Sequence, residues 1–103
     1  MNEAITLSSA AHVPTELPRR YLAQLCKHFQ HRLPVTFDDT HGQITFASGL
    51  CEVEAAADGL TLHVRAADEA ALAQVEDVVA RHLKRFAFRE EPEVRWSRVD
   101  PEA

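Results

Sequence analysis

The sequence predicts an α+β fold, a two-layer sandwich in which two helices cover one face of an antiparallel sheet. Apolar residues at three- and four-residue spacing predict helices at 16–32 and 70–91. Between them, residues 35–65 alternate apolar and polar side chains, with a glycine in each turn, which predicts four strands. Segments 4–13 and 93–99 predict one further strand each. The predicted order is β-α-β-β-β-β-α-β.

This order of a strand, a helix, four strands and a helix resembles the TATA-binding-protein-like arrangement, which by itself carries no function.

Prolines separate the first predicted strand from the first predicted helix. Because segment 4–13 is rich in small residues, we predict an edge strand there. Thr15 is the predicted N-cap, and Pro18 fits the first turn, where a helix tolerates proline. The helix 16–32 ends before Pro34, since the residue preceding a proline avoids helical dihedral angles. The apolar stripe of this helix consists of Leu22, Leu25, Cys26, Phe29 and Leu33.

The four strands of segment 35–65 form a predicted meander with one packed face and one wet face. Asp58-Gly59 is the strongest hairpin signal among its turns. In the strand before this turn, one face is formed by Cys51, Val53 and Ala55, and in the strand after it by Leu60, Leu62 and Val64.

The second helix, 70–91, follows a predicted N-cap at Asp68 or Ala67, and Lys84 and Arg85 complement its carboxyl end. His82 lies at the edge of its apolar stripe. The stripe consists of Leu72, Val75, Val79, Leu83 and Phe86.

Length and charge limit the possible function classes. The 103 residues predict a single domain, 1–103, and the net charge of −5 argues against a sequence-independent nucleic-acid binder. Two cysteines are too few for a disulfide framework. The chain has no signal-peptide pattern and no apolar run near the ~20 residues that span a bilayer. The sequence therefore predicts a cytoplasmic protein with reduced thiols and no membrane or nucleic-acid partner.

No catalytic motif accompanies these elements. The chain lacks a glycine-rich phosphate loop, a His-x-x-x-His pair and the residue order of a Ser-His-Asp triad. We therefore predict no catalytic residue and no cofactor, and the sequence favours a binding protein over an enzyme.

The two cysteines suggest either core thiols or metal ligands. Cys26 and His28 are two residues apart on a helix and point to nearly opposite sides, so they cannot bind one ion together. Cys26 fits the apolar stripe, and Cys51 faces the same way as Val53, which favours two buried thiols. The alternative is a metal site in which Cys26, Cys51 and His82 meet between helix and sheet, since a catalytic zinc site uses three protein ligands.

The six histidines divide into two groups. His28 and His82 lie at the edges of the two helices, and His28 is beside the face of Tyr21 and Arg32. An imidazole at a helix edge is more often structural than functional, but these two are the candidates if any histidine binds a ligand. Wet faces or turns are predicted for His12, His31, His41 and His63.

A second candidate site is the aromatic and arginine-rich run that follows the second helix. Phe88 and Trp96 either close the end of the core, which we favour, or form an exposed patch. Such a patch would be typical of a binding hot spot and would suit an acidic or catecholate-like ligand. The flanking arginines are Arg85, Arg89 and Arg95.

Several strings resemble a small bacterial family known as domain of unknown function twenty-two eighteen. They are Arg20–Phe29 (RYLAQLCKHF), Gly49–Glu52 (GLCE) and Val75–Glu90, which ends in RFAFRE. The resemblance implies that relatives are encoded beside, or fused to, siderophore-interacting flavin reductases and other iron-uptake genes. It therefore implies an accessory role in handling iron or ferric siderophores, and it implies no catalytic residues.

Three hypotheses follow. The first is a non-enzymatic accessory module in iron or siderophore metabolism that binds a small ligand or a partner flavin reductase. The second is an iron, haem or zinc binder that uses His28, His82, Cys26 or Cys51. The third is a structural domain that forms oligomers through an edge strand such as 4–13 or 93–99.

Overall fold

A computed structural model describes residues 7–99, and within this range it has the predicted α+β fold and element order. The part of the predicted first strand before Leu7 lies outside the described residues. The elements are β1 (Leu7–Pro14), α1 (Pro18–Phe29), β2 (Val35–Phe37), β3 (His41–Phe46), β4 (Gly49–Ala56), β5 (Gly59–Ala66), α2 (Glu69–Phe86) and β6 (Ser97–Val99).

The sheet is antiparallel, and its strand order is β2-β3-β4-β5-β1-β6. The prediction that the first strand lies at an edge is wrong, because β1 pairs with both β5 and β6. Its small side chains face the core and allow α2 to approach. Ser9 is fully buried there, and its hydroxyl donates a 2.6 Å hydrogen bond to the carboxylate of Glu76 on α2.

The meander β2–β5 is confirmed, with one packed face and one outer face. Its alternation is as predicted: in β4 the residues Cys51, Val53 and Ala55 are buried, while Glu54 is exposed. Both helices pack on the buried face of the sheet. The outer face therefore carries the polar half of each strand.

Helix α1 is shorter than predicted at both ends. Its N-cap is Leu17, whose side chain cannot cap the helix, and Thr15 is not the cap. Instead the Thr15 hydroxyl accepts a 3.0 Å hydrogen bond from the Leu17 N–H group. Pro18 lies in the first turn, as predicted. After Phe29 the chain turns tightly, because its carbonyl accepts hydrogen bonds from the N–H groups of both Arg32 and Leu33.

Helix α2 begins as predicted and ends five residues early. Asp68 is the N-cap, and its carboxylate accepts a 2.8 Å hydrogen bond from the Ala71 N–H group. The helix ends at Phe86, and Glu91 has a left-handed φ of 48°. Glu91 precedes Pro92, whose ring disfavours helical dihedral angles at the residue before it. The last strand is likewise shorter than the predicted 93–99 segment.

The core lies between the sheet and the two helical stripes. Leu22, Leu25, Leu72 and Leu83 are fully buried, while Phe86 is half-buried at the end of α2. Within residues 7–99, no helix is long and apolar enough to cross a membrane.

Candidate functional site

The two helices bring His28 and His82 together. His28 lies in the last turn of α1 and His82 in the penultimate turn of α2, and their ring centres are 4.7 Å apart with the ring planes tilted by 43°. Phe29 and Phe86 pack against this pair at ring-centre distances of 4.9 Å to His82 and 5.6 Å to His28, respectively. Two histidines 54 positions apart in the sequence thus share one aromatic cluster.

A cleft of about 470 Å³ opens beside the two rings, and we call it the His28–His82 cleft. Arg85 lies close enough to affect the ionisation of His28. His28 is exposed, and its pKa is lowered, first by desolvation of the ring and then by the charges of His82, Arg85, His31 and Arg32. Its surroundings are therefore cationic and partly apolar. The lining residues are His28, Phe29, His31, Arg32, Leu33 and His82.

The orientation of the His82 ring is set by its own helix. Its Nδ1 atom lies 2.7 Å from the carbonyl oxygen of Val78, one turn earlier. A carbonyl oxygen can only accept a hydrogen bond, so Nδ1 carries the proton. In the neutral ring, Nε2 then has a free lone pair.

The exit of α2 places Phe88 at the surface. The Phe88 side chain is 65% exposed, and the Arg89 guanidinium lies 5.7 Å from the centre of its ring. The preference for a core role at Phe88 is therefore wrong. The reason is that the chain leaves the helical path after Phe86, so that Ala87 rather than Phe88 is directed into the core, where it is 2% exposed.

Arg95 and Trp96 have separate surroundings. Trp96 is half-buried and packs against the core, in agreement with the favoured interpretation of this residue. Arg95 is exposed and donates a 3.0 Å hydrogen bond to Glu93. Among residues 7–99, no aromatic contact, hydrogen bond or ion pair joins Arg95 or Trp96 to Phe88. The six candidate residues therefore divide into the His28–His82 cleft, the Phe88–Arg89 surface and the Arg95–Trp96 segment.

Both cysteines are free and fully buried, as the core interpretation predicts. Burial raises the pKa of the Cys26 thiol to about 11. The pKa of Cys51 is also raised, first by burial and then by the nearby Cys26 and Glu52. Within the described part of the chain, no three His, Cys, Asp or Glu side chains are grouped to hold a metal ion, so Cys26, Cys51 and His82 do not form the alternative three-ligand site.

The outer face of the sheet carries a broader depression of about 660 Å³. Its rim contains two histidine–carboxylate pairs, His41 with Glu54 at 3.4 Å and His63 with Glu52 at 3.7 Å. The sequence correctly predicts these histidines on the wet face, but it does not predict the depression. The alternating pattern gives the face of each residue, whereas the cross-strand partner depends on strand register.

The chain is similar to bacterial proteins in both sequence and structure. The sequence profile of the family described as "Uncharacterized protein conserved in bacteria (DUF2218)" matches residues 10–97. The solved NMR structure of PA4090 from Pseudomonas aeruginosa is 37% identical, with a TM-score of 0.76, and the match covers 88% of this chain and 95% of that one. No curated protein matches the chain.

Proposed function

Because the chain belongs to the bacterial family described as "Uncharacterized protein conserved in bacteria (DUF2218)", we propose that it is a non-enzymatic accessory module of iron or siderophore metabolism. In this proposal it binds a small, anionic, aromatic ligand, of which a catecholate siderophore is the example. The metabolic setting draws support from the family resemblance, which implies gene neighbours that encode siderophore-interacting flavin reductases. The observation that carries the binding role is the His28–His82 cleft.

The cleft has the size and chemistry for such a ligand. Its volume of about 470 Å³ lies within the ~300–1,000 Å³ typical of small-molecule sites. Arg32 at its rim and Arg85 near His28 supply positive charge, which attracts an anion. The exposed ring of His28 offers a flat surface on which an aromatic ligand stacks, and the buried ring of Phe29 packs against it from the core side.

Calorimetric titration tests this proposal. Tag-free protein is titrated with iron-free and ferric catecholate siderophores, together with the variants His28→Ala, His82→Ala and Arg32→Ala. We expect each variant to weaken binding about tenfold or more, because each removes a ring or a charge from a small contact area. His63→Ala on the outer sheet face is the matched control and is expected to bind normally. Absence of heat with every siderophore, or equal loss in the control, would contradict the proposal.

A second candidate function is docking of a partner flavin reductase, and the exposed Phe88 favours it. A phenylalanine that is 65% exposed under an arginine is an unusual surface feature for a small domain and has the composition of an interface hot spot. Sedimentation of the chain with a purified siderophore-interacting reductase tests this candidate. Phe88→Ala is expected to abolish co-sedimentation, whereas Leu17→Ala, at another exposed apolar residue (43% exposed), is expected to preserve it.

A further inference from the structure

The separation of the His28 and His82 rings matches the geometry of two imidazoles bound to one metal ion. An imidazole nitrogen lies about 2.0–2.1 Å from a bound zinc ion. At ligand–metal–ligand angles of about 90–109°, two such rings place their centres about 4.5–5.2 Å apart. The observed distance between the ring centres is 4.7 Å. Two adjacent coordination positions of an ion are therefore compatible with this pair.

His82 also has the outer contact that metal-binding histidines use. Ligating histidines commonly donate their second ring N–H group to a carbonyl or carboxylate, which fixes the tautomer and the ring orientation. The Nδ1–H group of His82 donates to the Val78 carbonyl at 2.7 Å, so the Nε2 lone pair is available for a metal. Among the side-chain hydrogen bonds of residues 7–99, none uses a ring nitrogen of His28.

Two imidazoles do not complete a coordination shell. No third His, Cys, Asp or Glu side chain within residues 7–99 joins them in a metal-binding group. Residues 7–99 therefore leave the other coordination positions to a bound chelator or to water. The arginines around the cleft disfavour a bare cation and favour an ion whose charge is already balanced by anionic oxygen donors.

We propose that the His28–His82 cleft binds a first-row transition-metal chelate, such as an iron complex, through two adjacent nitrogen bonds, one from each histidine. The chelator supplies oxygen ligands, two waters leave the ion, two imidazole nitrogens replace them, and no electron is transferred. Imidazole suits Fe, Cu, Ni and Zn, so copper is a valid probe of the geometry. This inference rests on the proposed function, and it adds the class of ligand and the roles of the two rings.

Electron paramagnetic resonance with Cu²⁺ tests the nitrogen bonds directly. The tag-free protein receives one equivalent of Cu²⁺ and one of 2,3-dihydroxybenzoate, whose two oxygens leave two adjacent equatorial positions on the ion. We expect hyperfine coupling from two nitrogens in the wild-type protein and from one nitrogen in His28→Ala and in His82→Ala. Each variant is also expected to bind the copper chelate about ten- to a hundredfold more weakly.

Two controls separate this site from the other histidines. His41→Ala and His63→Ala, on the outer sheet face, are expected to keep both nitrogen couplings. In the unsubstituted protein, the NMR signals of His28, His82 and Phe86 are expected to broaden before those of His63, which tests the site even if a variant misfolds. Unchanged couplings in the His28 and His82 variants, broadening centred on the outer face, or equal binding of Cu²⁺ without the chelator would each overturn the inference.

The outcome also separates this inference from the proposed function. If catecholate siderophores bind with His28-dependent heat but no nitrogen coupling appears, the rings only stack on the ligand and the chelate inference is wrong. If two-nitrogen coupling appears while no siderophore binds, the metal site stands and the siderophore proposal is wrong.

Discussion

The hydroxyl of Tyr21 donates a 2.7 Å hydrogen bond to the carboxylate of Glu90 and so joins α1 to the segment after α2. The same carboxylate oxygen accepts a 2.9 Å hydrogen bond from the Thr15 hydroxyl. At the other end of α1, His28 contacts His82. His82 of α2 and Glu90 of the segment after it therefore contact α1 near its two ends.

Replacement of Tyr21 by Phe is expected to lower the free energy of unfolding by about 1 kcal/mol, because a buried hydroxyl loses its bond to a carboxylate. The hydrogen bond from Tyr21, followed by that from Thr15, holds the pKa of Glu90 below its usual 4.5. Such a group stabilises the fold above its unfolded pKa, and that stabilisation is lost as the pH falls through the folded pKa. The deficit of Tyr21→Phe should therefore be full at pH 7 and shrink below about pH 4.5.

Urea unfolding of both proteins between pH 3 and pH 8 measures this difference. Thr15→Val removes the half-buried second partner of Glu90 and also the acceptor of the Leu17 N–H group. Because the hydrogen bond from Leu17 does not titrate, the deficit of Thr15→Val is expected to shrink less below pH 4.5 than the deficit of Tyr21→Phe. A deficit that stays constant across this pH range would show that Glu90 is not its source.

Local patterns predicted the faces of the elements well and their ends less well. The alternation around Cys51 and the stripe from Leu72 to Leu83 reflect the fixed periods of strands and helices, so burial followed directly. The predicted continuation of α2 to residue 91 is five residues too long, and Pro92 accounts only for the loss of helical conformation at Glu91. Small residues in β1 suggested an exposed edge, whereas they make room for α2 above Ser9.

The candidate site could be predicted only in part, because local spacing gives the position of a residue on its own helix but not its contacts with another helix. Helix spacing placed His28 and His82 at the edges of their own helices; in the structure His82 is half-buried and His28 is exposed. Their contact depends on how two distant helices cross over the sheet, and no local pattern encodes that crossing. Which ring nitrogen of His82 keeps a free lone pair depends in addition on its hydrogen bond to the Val78 carbonyl, and the sequence does not show whether this bond forms.

The close approach of Gly42 to Cys26 provides a test of core packing. A Cβ atom added at Gly42 would lie 2.5 Å from the Cys26 sulfur, so one of the two groups must move. Gly42→Ala is expected to lower the free energy of unfolding by about 1–3 kcal/mol through overpacking. In the double variant with Cys26→Ala the sulfur is gone, and we expect most of that cost to disappear.

A double-mutant cycle from denaturant unfolding measures this coupling. Gly49→Ala is a useful comparison, because the added Cβ would lie 2.5 Å from the backbone carbonyl oxygen of Arg65, which Cys26→Ala does not relieve. Additive effects of Gly42→Ala and Cys26→Ala would contradict the packing described for this corner of the core.

The two buried thiols are expected to be unreactive in the folded protein. With a pKa of about 11, only about one Cys26 side chain in a thousand is ionised at pH 8. A thiol reagent such as Ellman's reagent should modify native protein about a hundredfold more slowly than protein in denaturant, where both thiols are accessible. Rapid labelling of one thiol in native protein, with native circular dichroism, would contradict this burial.

The same pKa shifts predict that stability falls in alkaline solution. Folding favours the protonated thiols, so the unfolded chain releases its thiol protons at lower pH than the folded chain. The stabilisation is complete below about pH 8.5, the usual pKa of a free thiol, and is lost as the pH rises from there. The expected slope is about 1.4 kcal/mol per pH unit for each thiol. Urea unfolding between about pH 9 and pH 10.5 measures how the free energy of unfolding depends on pH. Cys26→Ala should remove the contribution of one thiol to this slope, and an unchanged slope would show that Cys26 does not contribute to it.

Truncation of Phe88 is expected to affect stability much less than truncation of Phe86, although only Ala87 separates the two residues. Phe88 is 65% exposed, so Phe88→Ala should change the free energy of unfolding by no more than about 0.5 kcal/mol. Phe86 is half-buried against the core and against the His28 ring, so Phe86→Ala should cost about 2 kcal/mol or more. Thermal and urea unfolding of both variants measure the contrast. A large loss at Phe88 would mean that its ring is covered in solution, and the surface proposed for a partner reductase would then be part of the core.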